Sequence, residues 1–209
     1  MTVSARDPGL ARVAEAVPGV SRETLDRLAA YLALLERWQP RINLVSRTTL
    51  AEAGTRHFLD SAQLRPLLPE GARVLVDLGS GAGFPGLVLA MLGLPDVHLI
   101  ESDGRKCAFL REAARVTGTP VTVHNRRIEA VPAFAADVVT SRALAPLDDL
   151  LALSEPFLGA AGTALFLKGR QAEDELTLAR RHWRMQAEMI DSITEPEGRV
   201  LRIREVARA

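Results

Sequence analysis

The chain has one cysteine, Cys107, among its 209 residues. A lone thiol excludes a disulfide framework and a cysteine-built zinc cluster within the chain, and it suits a reducing cytoplasm. No apolar run approaches the roughly 18 residues that a membrane-crossing helix needs, so no membrane partner is expected. The stretch from Met1 to Gly9 is polar and carries Asp7, so it does not read as a signal peptide. Net charge is lacking too, because 26 basic residues balance 26 acidic ones. That argues against a surface coated in positive charge and leaves room for a local basic face. Lysine is scarce: only Lys106 and Lys168 interrupt an otherwise all-arginine set. A coding bias accounts for the pattern in general. Under such a bias a retained lysine suits a place that needs a compact point charge, and Lys168 stands at a predicted strand end.

What the chain does have is apolar mass. It is 47% hydrophobic, enough for one compact domain with a substantial core. Two regions differ in rhythm, an N-terminal helical cap over residues 1–71 and an α/β core over 72–209. In the cap, Leu25, Leu28, Leu32 and Leu35 recur at spacings of three and four behind Ser21, a predicted N-cap, and Pro40 ends that helix. A second helix is predicted over about 50–65, carrying Phe58, Leu59, Ala62 and Leu64, and Pro66 to Gly71 forms a linker.

From Arg73 strands and helices alternate. Strands are predicted at Val74–Asp77, Val97–Glu101, Val121–His124, Val138–Ser141 and Thr163–Lys168. Helices are predicted at Pro85–Leu92, Arg105–Thr117, Leu147–Leu158 and Gln171–Ala179. Two closing strands, Gln186–Ile193 and Val200–Val206, flank the turn Glu195-Pro196-Glu197-Gly198. Apolar strands alternating with helices imply a mostly parallel seven-stranded sheet covered on both faces, with a late antiparallel strand.

The richest stretch is Asp77-Leu-Gly-Ser-Gly-Ala-Gly-Phe-Pro-Gly86, with Gly79, Gly81 and Gly83 at alternate positions. A glycine turn at the carboxyl end of a parallel strand lets a nucleotide-like ligand approach bare backbone. Two cofactors compete for it. Counted from Gly79, the sixth position of a dinucleotide fingerprint is Phe84, where a small residue is wanted. S-adenosylmethionine carries no phosphate and needs instead a partner for its ammonium, which Asp77 and the loop carbonyls could supply. Glu101, ending the second strand, can accept hydrogen bonds from both ribose hydroxyls of either cofactor. Asp103 points to the adenosine side or to solvent.

The residues resemble the RsmG (GidB) family of bacterial small-subunit rRNA guanine-N7 methyltransferases. The likeness lies in the 77–86 loop, the block Glu101 to Glu112, Thr140-Ser-Arg-Ala-Leu-Ala-Pro-Leu147, Leu167-Lys168-Gly169, Trp38 with Asn43-Leu44, and His57-Phe-Leu-Asp-Ser61. It runs in order from about Leu28 to Arg204 and departs at Gln39, where the family usually has asparagine. It implies a Rossmann-like class I methyltransferase fold, S-adenosyl-L-methionine as cofactor, and 16S rRNA or the small ribosomal subunit as partner, acted on by a cytoplasmic protein taken as a monomer. It further implies that Gly79 and Phe84 contact the cofactor, that Ile128 and Glu129 border its adenine, and that Arg142 sits beside cofactor and incoming base. Lys168 is expected to contact an RNA phosphate or the base, or to be a strand-end surface charge.

Guanine N7 has a free lone pair, so no general base is required. The Pro-Pro-aromatic turn of exocyclic-amine enzymes is replaced here by Thr140-Ser141-Arg142-Ala143, and Cys107 reads as a small buried residue rather than a nucleophile. His57 and Trp38 read as packing residues. Arg180-Arg181-His182-Trp183-Arg184 and the alternating Arg199, Arg202 and Arg204 read as RNA-facing or solvated. The competing readings are an NAD-dependent oxidoreductase and a non-enzymatic cofactor- or RNA-binding module.

Overall fold

The computed structural model describes residues 7–209. Helix α1 (Pro8–Ala16) starts at Asp7, whose carboxylate accepts the N–H groups of Gly9 and Leu10. Its buried residues, Gly9, Leu10 and Val13, are too few to predict a helix from their spacing. Helix α2 (Arg22–Trp38) is capped by the Ser21 hydroxyl and buries Leu28, Leu32 and Leu35, as the leucine spacing predicts. The single helix expected over about 50–65 is broken into α3 (Arg47–Leu50), a wide π turn at Gly54–Leu59, α4 (Asp60–Ala62) and a 3₁₀ turn at Arg65–Leu67. Close packing accompanies the break. The α1 backbone runs so near this turn that a Cβ on Gly9 would lie 2.1 Å from the Thr55 nitrogen.

The α/β part follows the expected rhythm with shifted ends. Strands β1 (Val74–Leu78), β2 (Asp96–Glu101), β3 (Thr122–Asn125), β4 (Ala136–Arg142) and β5 (Leu158–Lys168) alternate with helices α5 (Gly86–Met91), α6 (Gly104–Thr117) and α7 (Leu147–Ser154). Helix α8 (Ala172–Ala179) leads into a hairpin of β6 (Trp183–Asp191) and β7 (Arg199–Arg208). The helix expected to reach Leu158 stops at Ser154, because β5 begins at Leu158 and pairs there with Ala136.

The seven strands lie in the order β3-β2-β1-β4-β5-β7-β6. The first five run parallel, and β7 is antiparallel to both β5 and β6. The order reverses between β1 and β4, which opens a crevice at their carboxyl ends. Alternation along each strand sorts the core into two layers. Leu75, Leu99, Val138 and Leu165 pack against α1, α2, α5 and α6. Val76, Leu78, Ile100, Val139 and Phe166 pack against α7 and α8. The helical cap thus shares one continuous apolar core with one face of the sheet.

Phe58 is fully buried where these helices meet the sheet layer, in edge contact with Tyr31 and Phe84. Replacing Phe58 with alanine should lower the unfolding free energy by about 3–5 kcal/mol, read from urea denaturation midpoints at unchanged slope. A loss under about 1 kcal/mol would contradict this packing.

Candidate active site

The turn after β1 is built from below and from above. Below, Asp77 is fully buried, with Oδ1 accepting the Thr140 hydroxyl at 2.8 Å and Oδ2 accepting the Gly86 N–H at 3.2 Å. It therefore braces β1 to β4 and to the start of α5 rather than reaching into the crevice for an ammonium group. Burial pushes its carboxyl up to about 6, against the lowering influence of its hydrogen bonds and of Arg142. Above, the Tyr31 hydroxyl of α2 donates to the Ala82 carbonyl. Gly83 must be glycine, since a Cβ there would lie 2.7 Å from that hydroxyl.

The turn is bare at Gly81. Gly79, Gly81 and Gly83 have φ of 65°, 58° and 93°, in or near the left-handed region. A Cβ on Gly81 would meet nothing nearer than 3.9 Å. Glu101 holds the turn open: its Oε2 accepts the Gly81 N–H at 2.9 Å and its Oε1 the Asp103 N–H at 2.8 Å. Each oxygen keeps a second lone pair. Asp103 is committed to α6, where its carboxylate caps the N–H groups of Arg105 and Lys106. Ile128 and Glu129 lie in a 3₁₀ turn after β3, Ile128 half-buried against the core and Glu129 exposed.

Phe84 turns away from this opening. It is 3% exposed, stacked on Tyr31 at 5.4 Å and His57 at 5.2 Å, and edge-on to Phe58 at 5.1 Å. In the structure the glycine pattern fits one step later in the turn than a count from Gly79 places it. Counted from Gly81, the segment Gly81-Ala-Gly-Phe-Pro-Gly86 completes the dinucleotide pattern, and Gly86 is the small residue at the helix–strand contact. A Cβ on Gly86 would lie 2.5 Å from Leu99 Cδ2. Phe84 alone therefore does not argue against a dinucleotide.

Arg142 ends β4 on the cap side. One terminal nitrogen donates to the Arg56 carbonyl at 3.1 Å and to His57 Nδ1 at 2.9 Å, and it pairs with Asp60 at 3.4 Å; the guanidinium lies 5.1 Å from the Phe84 ring centre. Arginine can only donate, so His57 Nδ1 accepts and Nε2–H faces Thr49 Oγ1 at 2.9 Å. Burial, then the charges of Arg142 and Arg56, lower the His57 pKa to about 3, which keeps the ring neutral. His57, expected only to pack, and Asp60 thus belong to the site through Arg142. Asp60 was visible as the one acid among Phe58, Leu59 and Ala62.

Lys168 leaves the sheet on the opposite face. Arg142 registers with Leu167, so the next residue of β5 points the other way. Its ammonium donates to the Ala145 carbonyl at 2.9 Å and pairs with Glu175 at 2.5 Å, and the side chain is 8% exposed. It does not present a free charge to solvent. Arg142, Lys168 and Arg199 nonetheless line one cleft of about 840 Å³ between the cap and the β6–β7 turn. Of the remaining candidates, Trp38 packs edge-on to Phe109, and Cys107 is buried. Trp183 is 2% exposed beneath Arg208, while Arg199 and Arg202 pair with Asp191 and Glu188.

Residues 24–201 match the profile of the GidB family, described as rRNA small subunit methyltransferase G. The chain belongs to this family. It is 64% identical to the ribosomal RNA small subunit methyltransferase G of Rhodospirillum centenum, over 92% of this chain and 89% of that one. Identity to the Paramagnetospirillum magneticum protein of the same name is 63%, over 91% and 93%. Among solved structures, M. jannaschii TYW2 in complex with AdoMet superposes with TM-score 0.58 at 16% identity, over 81% of this chain and 80% of that one. A TehB-like SAM-dependent methyltransferase of Corynebacterium glutamicum superposes with TM-score 0.56 at 19% identity, over 85% and 98%. At these identities the structural likeness speaks for the Rossmann-like fold.

The two perturbed groups give opposite pH signatures. Neutral His57 contributes stability above its ordinary 6.5 that is lost as pH falls toward 3. Asp77, raised from 3.8, contributes stability at low pH that is lost as pH rises toward 6. Each slope is about 1.4 kcal/mol per pH unit, so between roughly pH 4 and 6 they offset one another. His57→Gln should therefore make stability fall with rising pH across that window relative to the parent, and Asp77→Asn should make it rise. Urea midpoints at half-unit pH steps check both signs.

Proposed function

We propose that this chain transfers a methyl group from S-adenosyl-L-methionine to N7 of a guanine in 16S rRNA. Family membership supports methyl transfer to small-subunit rRNA, and the likeness to methyltransferase folds supports a cofactor of the S-adenosylmethionine class. The observation that carries the reading to these residues is Glu101, at the end of β2, holding the glycine turn that follows β1 at 2.9 Å. The residues fit such a cofactor: bare backbone at Gly81, a strand-end carboxylate with lone pairs to spare, and Ile128 and Glu129 in the turn that follows β3. When bound, S-adenosylmethionine supplies an electrophilic methyl on a sulfonium.

The protein's own task is then orientation and exclusion of water. Holding reactants in line contributes about 7–11 kcal/mol in favourable systems. No side chain needs to remove a proton from N7, and His57, neutral with both ring nitrogens engaged, is not placed to do so. Arg142 lines the cleft and in this reading donates to guanine O6, leaving N7 unobstructed. Asp77 and Phe84 serve the site by fixing the turn. In this reading the described part of the helical cap, residues 7–71, helps to present RNA. Among the described residues no helix is long and apolar enough to cross a membrane.

Incubation with radiolabelled S-adenosylmethionine and unmodified small subunits should label 16S rRNA at a base that chemical strand cleavage maps as N7-methylguanine. Label confined to protein or small molecules would overturn the reading, as would calorimetry in which NAD binds tightly and S-adenosylhomocysteine does not. Glu101→Gln should weaken S-adenosylhomocysteine binding about tenfold, through loss of a charged acceptor worth about 1.4 kcal/mol. Arg142→Lys should lower kcat/KM for small subunits roughly 10- to 100-fold with cofactor affinity kept, because an ammonium cannot reproduce the guanidinium fork.

A further inference from the structure

Between β4 and α7 the backbone turns through Arg142-Ala143-Leu144-Ala145-Pro146. Ala143 has φ 52°, a left-handed conformation that an alanine adopts only when its surroundings hold it there. The next residue, Leu144, is 38% exposed and lies so near Gly79 that a Cβ on that glycine would be 2.7 Å from Leu144 Cδ1. This turn therefore forms the partition between the open glycine loop and the 840 Å³ cleft, with Arg142 entering it and Leu144 on it.

One carboxylate holds the far end of the turn. Helix α7 begins behind Pro146, whose side chain cannot cap it. The Leu147 N–H is taken instead by Glu175 Oε2 of α8, at 2.8 Å. The same oxygen lies 2.5 Å from Lys168 Nζ, and Lys168 donates to the Ala145 carbonyl at 2.9 Å. The two backbone groups that flank Pro146 are thus gripped by one ion pair. Both side chains are largely sheltered, at 8% and 21% exposure, so the pair is not a screened surface contact.

We propose that Glu175 is a positioning residue for methyl transfer, which acts through Lys168 to lock the 143–147 turn and so set Leu144 and Arg142 at the partition. The proposal rests on the methyltransferase reading of the site. It gives Lys168 a role distinct from contact with an RNA phosphate. A phosphate contact is felt in RNA binding, whereas a lock on the partition is felt in turnover.

The test uses the full chain with unmodified small subunits, comparing Glu175→Gln, Lys168→Met and their combination with the parent. Glutamine keeps an acceptor for the Leu147 N–H and removes only the charge facing Lys168. Each single variant should lower kcat at least tenfold, with KM for small subunits and affinity for S-adenosylhomocysteine within threefold of the parent. The combination should be no worse than the poorer single variant, and Glu175→Asp should recover part of the rate. The proposal is overturned if Glu175→Gln keeps parental turnover, if the losses lie in KM for small subunits, or if the single losses multiply. Should either single variant fail to fold, Glu175→Asp, which draws the carboxylate back by one methylene, decides the matter: parental kcat rejects the lock. An inactive parent would instead reject the reading of the site, which separates the two failures.

Discussion

Phe84 is held by three aromatic rings and by Arg142 at once, and most of the site depends on that packing. A turn meant to receive a ligand must leave its backbone bare, so it cannot be stiffened by side chains on the side that is used. The stiffness has to come from behind. Phe84 projects backward into Tyr31, Phe58 and His57, while Asp77 grips the same turn from within the sheet. Offset and edge-on ring pairs of this kind add about 0.5–1.5 kcal/mol each beyond the area they bury. The helical cap is thereby part of the loop's foundation.

The same arrangement explains how a buried arginine is tolerated. Arg142 would be costly to shelter alone, but Asp60, the Arg56 carbonyl, neutral His57 and the face of Phe84 surround it. Every one of these partners comes from the cap or from the loop the cap supports. Displacing the cap would strand a charge as well as expose apolar surface.

From Arg73 onward the element order, the parallel sheet with its late antiparallel strand and the glycine turn could be read from the residues. Hydrophobic rhythm and glycine spacing are local signals, and these features are local. What could not be read was register and parity. Arg142 and Lys168 stand at neighbouring strand ends, and nothing in the sequence says that one faces the cap and the other faces α8; that follows from the pairing of Arg142 with Leu167. Asp77 and Phe84 were recognised as part of the turn, but their directions depend on partners far along the chain, Thr140 and Tyr31. Alternate glycines admit two counts, from Gly79 or from Gly81, and only the close helix–strand contact at Gly86 selects the second. The first helix escaped notice because the residues it buries, Gly9, Leu10 and Val13, make too short a stripe to show a period.

Strand β7 lies between β5 and β6 although it follows both in the chain. Until it docks, β5 carries an unpaired edge along Ala164 to Lys168, four buried apolar residues and the lysine of the ion pair. A chain cut before Arg199 would expose that edge permanently, with β6 left unattached beside it. Exposed apolar edges pair with whatever strand arrives. Pairing with β7 thus closes, along Ala164 to Lys168, an edge that the chain would otherwise leave open to another strand.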